Sequence, residues 1–302
     1  MPTLPSVLFH FLGLVGDQTV TAQKLAEFIW KDPALLARAL PLLDEGGEQA
    51  GGDQGALLRG IASLSRERIR HLAFTTPLLR SFEPFRTASY AVTFWERSFL
   101  CATATQAAAD SLELPHAERY YAAGLLHDIG YLVVLQQRPQ LLPAILQQWA
   151  VRPSCLLEIE EELMGIDHCR LGLQTAARLG LPEWLFPAIA AHHAPQQESD
   201  WMARLTAVGG AFANFQGVDL FPRRSLSRAA RERELHEILL LLLPKLADSD
   251  RKRLLTAVET AVRPIRDGIR EFMAEWQMAV TSCVQPRFTP FGGNRQSLPA
   301  IA

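Results

Sequence analysis

The chain has 302 residues, of which 48% are hydrophobic and 21% charged, so it can bury a sizeable core in one large domain or two ordinary ones. Its 30 Lys and Arg against 32 Asp and Glu leave a formal net charge of -2, which argues against a general nucleic-acid binder, since phosphate contacts need a basic excess or stripe. The cysteines Cys101, Cys155, Cys169 and Cys283 are sparse and form no C-x-x-C, which argues against a disulfide framework and fits a reducing, cytoplasmic setting.

Taken in order, the chain opens on MPTLPSVLFHFLGLVGDQ, which lacks the basic start and small-residue cleavage site of a signal peptide. From there the apolar period is helical almost throughout, and an all-α protein is expected. Thr21 is placed to cap a helix carrying Leu25, Phe28 and Ile29. Asp32-Pro33 is a cap followed by proline at the first helical position, leading into ALLARALPLL. DEGGEQAGGDQG, Asp44 to Gly55, is too polar and glycine-rich to bury much and reads as a mobile loop. GALLRGIASL follows, and Ser65 then caps RERIRHLAFTTPLL.

A long alanine-rich helix is predicted over Thr87 to Leu112. Pro115 and Gly124 bracket the entry to YYAAGLLHDIGYLVVL, residues 120–135, read as one helical segment. Pro139 and Pro153 each read as the first residue of a further helix, and Gly165 and Gly180-Leu181-Pro182 punctuate the next two. Ser199 is the predicted cap of a helix running towards Gln216. GVDLFPRR, Gly217 to Arg224, breaks the pattern and sets a boundary near residue 222. Residues 223–284 are expected to form a helical C-terminal region, interrupted at Pro264, whose apolar faces pack back by default. Residues 285–302 read as a flexible tail. The strongest apolar run, Ile238 to Leu243, ends at Pro244 and falls far short of the roughly 20 residues that span a bilayer.

His127 and Asp128 stand inside the apolar segment 120–135, where Leu or Val would pack at less cost. Either they are a buried, hydrogen-bonded pair that fixes helix packing, or they belong to a metal site. A His-Asp dipeptide is a weak motif by itself. Its setting adds weight: small residues flank it, Gly130 follows, and downstream come GIDHCRLG with His168 and AIAAHHAP with His192 and His193. Histidines on separate helices can converge inside a bundle, and imidazole with carboxylate suits Zn, Mn or Fe.

The segments DPALLARAL, IASLSRERIRHLAF, AAGLLHDIGYLVVL, GIDHCRLGLQTAARLGLPEWLFPAIAAHHAP and AVGGAFANFQGV, in this order, resemble the HDOD domain, a divergent relative of the HD and HD-GYP metal-dependent phosphohydrolases. The resemblance covers about residues 4 to 220 and is most specific from Ala122 to Pro195. It implies an HD-like helical bundle over residues 1–222. The hydrolytic relatives use a His on an earlier helix, the His-Asp dyad, further histidines and a late Asp. His127 and Asp128 match the dyad, and His168 and His192 match the later histidines, with His193 beside them. Arg97 stands where the earlier His is expected, in FWERSFLCA, and Asn214 where the late Asp is expected, in GAFANFQG.

Arginine is always protonated and cannot coordinate a cation, and an Asn amide is a much weaker ligand than a carboxylate. The expectation is therefore a degenerate HD site in which Arg97 neutralises Asp128, with no cofactor. If a divalent metal does bind, its candidate ligands are His127, Asp128, His168 and His192. The resemblance implies a non-catalytic signalling role through a protein partner. The alternatives are a metal-dependent phosphohydrolase, or a module that holds a nucleotide without cleaving it.

Plainer readings attach to individual residues. His168 fits a helix start beside Asp167, and at least one of His192 and His193 is expected to face solvent at a helix end. Trp95, Trp149, Trp184 and Trp201 read as packing anchors, and Cys101 and Cys169 as buried, inert thiols. The basic stretches SRERIRH and RRSLSRAARER read as solvated faces. There is no G-x-S-x-G, Walker loop or G-x-G-x-x-G.

Overall fold

The computed structural model describes residues 5–43, 55–76, 86–152, 155–195, 200–219 and 227–264. Most of the glycine-rich loop, Pro153, Ser199, the segment from 265 towards Cys283 and the predicted tail lie outside the described residues. Among the described residues there are helices and turns and no strand. In chain order the helices are α1 Pro5–Gly16, α2 Ala22–Trp30, α3 Pro33–Ala39, α4 Ala56–Ser63, α5 Arg66–Thr75, α6 Arg86–Ser111 and α7 Ala117–Leu126. They continue as α8 Ile129–Gln137, α9 Leu141–Trp149, α10 Leu156–Met164, α11 His168–Leu179, α12 Phe186–Ala191, α13 Trp201–Phe215 and α14 Arg228–Leu242. Residues 248–264 form a further helical segment.

The starts follow from caps legible in the sequence. Thr21 accepts from the Lys24 amide at 3.2 Å, Asp32 from Leu35 at 2.7 Å and Ser65 from Arg68 at 3.2 Å, each meeting an amide that has no partner inside its helix. Asp32 does more than cap: its second carboxylate oxygen accepts from the Trp95 indole N–H at 2.9 Å, tying α3 to α6. Gly165 and Gly180 close α10 and α11 in the left-handed conformation, at φ of 78° and 67°.

Three local expectations change. Pro139 does not begin a helix: it sits second in a turn closed by the Leu141 amide on the Arg138 carbonyl at 3.0 Å, a position its fixed φ suits, and α9 starts at Leu141. The cap of α13 is Asp200, which accepts from Met202 at 2.7 Å. Segment 120–135 is two helices, with His127 and Asp128 at the break between α7 and α8.

Helix α6 packs along both α7 and α13, which also touch each other. These approaches are close because the facing residues are small. A Cβ on Gly124 of α7 would lie 2.7 Å from the Ala102 Cα of α6, and one on Gly130 of α8 would overlap the His168 carbonyl of α11. The main core gathers α1 to α7 and α11 to α13. It also takes in Leu235, Leu239, Leu242, Leu243, Leu254, Val258 and Val262, so the described part of the C-terminal region shares it. A second core joins Phe94 and Trp95 to Tyr131, Leu135, Ile145, Trp149 and Ile159. The histidine and carboxylate cluster stands where the elements of the two cores meet.

Candidate functional site

Helix ends deliver the histidines. His127 follows the last turn of α7, and its Nδ1–H donates to the Gly124 carbonyl at 2.8 Å. His192 follows α12, and its Nδ1–H donates to the Ala188 carbonyl at 2.9 Å. Both rings thereby satisfy carbonyls that a buried helix end leaves without amide partners. His168 opens α11 behind its cap Asp167, which accepts from Arg170 at 2.8 Å. Its backbone N–H and its ring Nδ1–H both meet Glu160 Oε2, at 2.9 and 2.6 Å. Because all three Nδ1 atoms face oxygen acceptors, each carries a hydrogen, and each Nε2 is turned to the inside of the cluster.

All three Nε2 atoms turn to Asp128. His127 lies 3.0 Å from Oδ2, and His168 and His192 lie 3.4 and 3.2 Å from Oδ1. The Arg97 Nε reaches Oδ2 at 3.5 Å, and Arg97 Nη1 donates to Asn214 Oδ1 at 2.5 Å and to the Val218 carbonyl at 3.3 Å. The seven positions named from the sequence thus come together, with His193 at the exposed rim, its Nε2 3.0 Å from that of His168. The expectation of one solvent-facing histidine in the His192-His193 pair matches His193.

Electrostatics follow from burial. Asp128, His127 and His168 are 3%, 1% and 0% exposed. Burial drives the His127 imidazolium to deprotonate, but the Asp128 carboxylate beside it wins and holds its pKa up at about 10. His168 is likewise raised, burial being outweighed by Glu160. Burial pushes His192 down to about 4, so it is neutral. Asp128 is itself held well below the usual carboxylate range: burial opposes, and the His127 charge with the surrounding hydrogen bonds prevails. Arg97 is raised, burial being overcome by Asp128.

The donor chemistry of His127, Asp128 and His192, with ligand atoms within 4.8 Å of one another, suits a divalent ion. Asp128 Oδ1 and His127 Nε2 are buried without a well-directed hydrogen bond, as ligand atoms would be. Charge argues the other way. A dication there would sit about 5 Å from the guanidinium, a repulsion of about 7 kcal/mol at an effective dielectric of 20. The position of the late carboxylate carries the neutral Asn214, whose oxygen Arg97 already takes, and a further carboxylate of the cavity, Asp219, acts on Arg97 itself. The set thus offers donor atoms for an ion but places a fixed cation against it.

Sequence reasoning missed Glu160, which is fully buried and also accepts from the Tyr131 hydroxyl. Its signal was present: Leu156, Glu160, Leu163 and Met164 fall on one helical stripe, so the carboxylate replaces an apolar residue in an otherwise apolar row. Tyr131 stacks on the His168 ring at 4.3 Å. Cys169 is buried as expected, but it is not remote, with Sγ 3.5 Å from His168 Nε2. Trp95 and Trp149 are both buried anchors of the second core, and Trp149 also edges a cavity of about 260 Å³. That cavity opens from Arg97, Asp128 and His193 past Thr206 to Ile238 and Leu241 of α14.

The HDOD domain model matches residues 1–195. The match ends before α13, so the position carrying Asn214 lies beyond it. Among solved structures, a crystal structure of an HDOD domain protein with unknown function from Geobacter sulfurreducens is 20% identical, covering 90% of this chain and 93% of that chain with a TM-score of 0.51. The MmoQ response regulator from Methylococcus capsulatus str. Bath is 22% identical, covering 84% of this chain and 97% of that one with a TM-score of 0.55. At these identities the likeness is one of fold. No curated protein matches. With the family match extending over well more than half its length, this helical chain belongs to the HDOD domain family.

Proposed function

We propose that this chain is a cytoplasmic regulatory protein that acts through contacts with a signalling partner, and that its HD site is degenerate and does not turn over substrate. The observation that carries the reading is the pairing of the two departures from the hydrolytic pattern: Arg97 donates to Asn214 while its Nε faces Asp128. A guanidinium seated on the dyad carboxylate supplies the positive charge a metal would bring but offers no coordination position for water. The MmoQ relative, a response regulator, gives the signalling context. In this reading residues 1–222 are the HDOD output domain and the C-terminal helices, which share its core, brace it.

A second reading has one observation behind it. Thr206 is fully buried, its hydroxyl has no hydrogen-bond partner, and it lines the cavity beside Arg97 and His193. A nucleotide held there without cleavage would use the hydroxyl and the guanidinium.

The test is phosphodiester hydrolysis with Mn or Fe added. No rate above that of Asp128→Ala is expected. Turnover that disappears in Asp128→Ala would establish the hydrolase instead. Thermal stabilisation by nucleotides without turnover would select the binding module.

A further inference from the structure

We propose that Cys169, His168, His192 and His193 form a closed zinc site next to the HD dyad. It deepens the non-hydrolytic reading of this region, but its donor set is different. The four residues place one ligand atom each within 4.8 Å of one another. Three of the six separations are close to those around one small ion, His168 Nε2 lying 3.0 Å from His193 Nε2, 3.4 Å from His192 Nε2 and 3.5 Å from Cys169 Sγ, and the other three are no longer than 4.8 Å. Zn–N bonds of about 2.05 Å and a Zn–S bond of about 2.3 Å in a tetrahedron give edges of about 3.35 Å between nitrogens and about 3.55 Å from sulfur to nitrogen.

The outer contacts are those of zinc-bound histidines. The Nδ1–H of His168 is held by the buried Glu160, itself anchored by Tyr131, and that of His192 by the Ala188 carbonyl. Both leave Nε2 as the coordinating atom. His193 stands at the exposed rim and gives the ion a way in, while Cys169 is buried below it. Asp128 is not a ligand of this set, and Arg97 holds its Oδ2 while His168 and His192 approach Oδ1. Charge also permits it. Zinc with a thiolate carries one net positive charge, which with Arg97 and the His127 imidazolium is matched by the carboxylates of Asp128, Glu160 and Asp219. Four protein ligands leave no position for a water, so such a site is structural or regulatory rather than hydrolytic.

The test uses the full chain, reconstituted with Zn²⁺ or Co²⁺ alone and dialysed. Stoichiometric zinc is expected, and cobalt should give a tetrahedral visible spectrum with a thiolate-to-cobalt charge-transfer band. Cys169→Ser should abolish that band. His193→Gln, at the exposed rim, should lower metal retention, and Asp128→Asn should keep the metal. Failure to retain zinc would overturn the proposal, as would a cobalt spectrum unchanged in Cys169→Ser. So would metal lost in Asp128→Asn but kept in the cysteine and His193 variants, which would return the ion to the dyad. The hydrolysis assay of the preceding section is independent, so zinc without turnover leaves the regulatory reading intact, and no zinc with no turnover removes only this site.

Discussion

At the scale of single residues, the cluster is an exercise in keeping buried charge paired. Asp128 and Glu160 are both inside the protein, and each is surrounded by donors: Arg97 and imidazoles for the first, Tyr131 and two N–H groups of His168 for the second. The partners are not equal. Arg97→Met removes a fixed cation from a buried carboxylate and is expected to destabilise by about 3 kcal/mol, the lower end for such pairs because His127 remains. Asn214→Ala removes one of several acceptors of Arg97, the Val218 carbonyl among those left, and is expected to cost about 1 kcal/mol. Urea unfolding of the two variants checks the order, and a larger loss in Asn214→Ala would mean that the amide, not the guanidinium, organises the site.

At the scale of elements, helix ends and glycines set the geometry. The break between α7 and α8 puts His127 and Asp128 at the mouth of two helices, and α11 must come close enough for His168 to reach them. That closeness depends on Gly130, where a side chain would strike the His168 backbone. Gly130→Ala is expected to destabilise by about 3 kcal/mol, because backbone and not a flexible side chain would have to move. Gly13 offers the opposite case: it lies on the exposed face of α1 with open space around it, so Gly13→Ala should stabilise by about 0.5–1 kcal/mol. Thermal denaturation of both variants compares overlap with backbone entropy within one protein.

At the scale of the molecule, the C-terminal helices are built into the bundle. Leu235, Leu239 and Leu242 of α14, and Leu254, Val258 and Val262 after it, are buried in the main core, and Arg204 of α13 donates to the Leu242 carbonyl. A chain ending at Asp219 would uncover these contacts, and it is expected to melt earlier than the full chain and to aggregate on heating. Calorimetry with light scattering measures both; an unchanged melting temperature would make residues 223–284 a separate module. Among the described residues no helix is long and apolar enough to cross a membrane.

The helical class and several helix starts could be read from the residues alone, because these rest on local physics: a carboxylate or hydroxyl before a helix, glycine after one, and the apolar period between; the dyad was legible only through the resemblance to the HDOD domain. The sequence also named the chemistry of the departures, since a guanidinium and an amide are poor ligands wherever they stand. That Arg97 and Asn214 pair with each other, 117 positions apart, emerges from the packed helices alone, because long-range pairing leaves no local trace. Cys169 likewise resembles its neighbours on an ordinary amphipathic helix, and only packing sets it beside His192 and His193. Glu160 does interrupt an apolar row, but its partner, His168 on the next helix, is fixed by packing around Gly130.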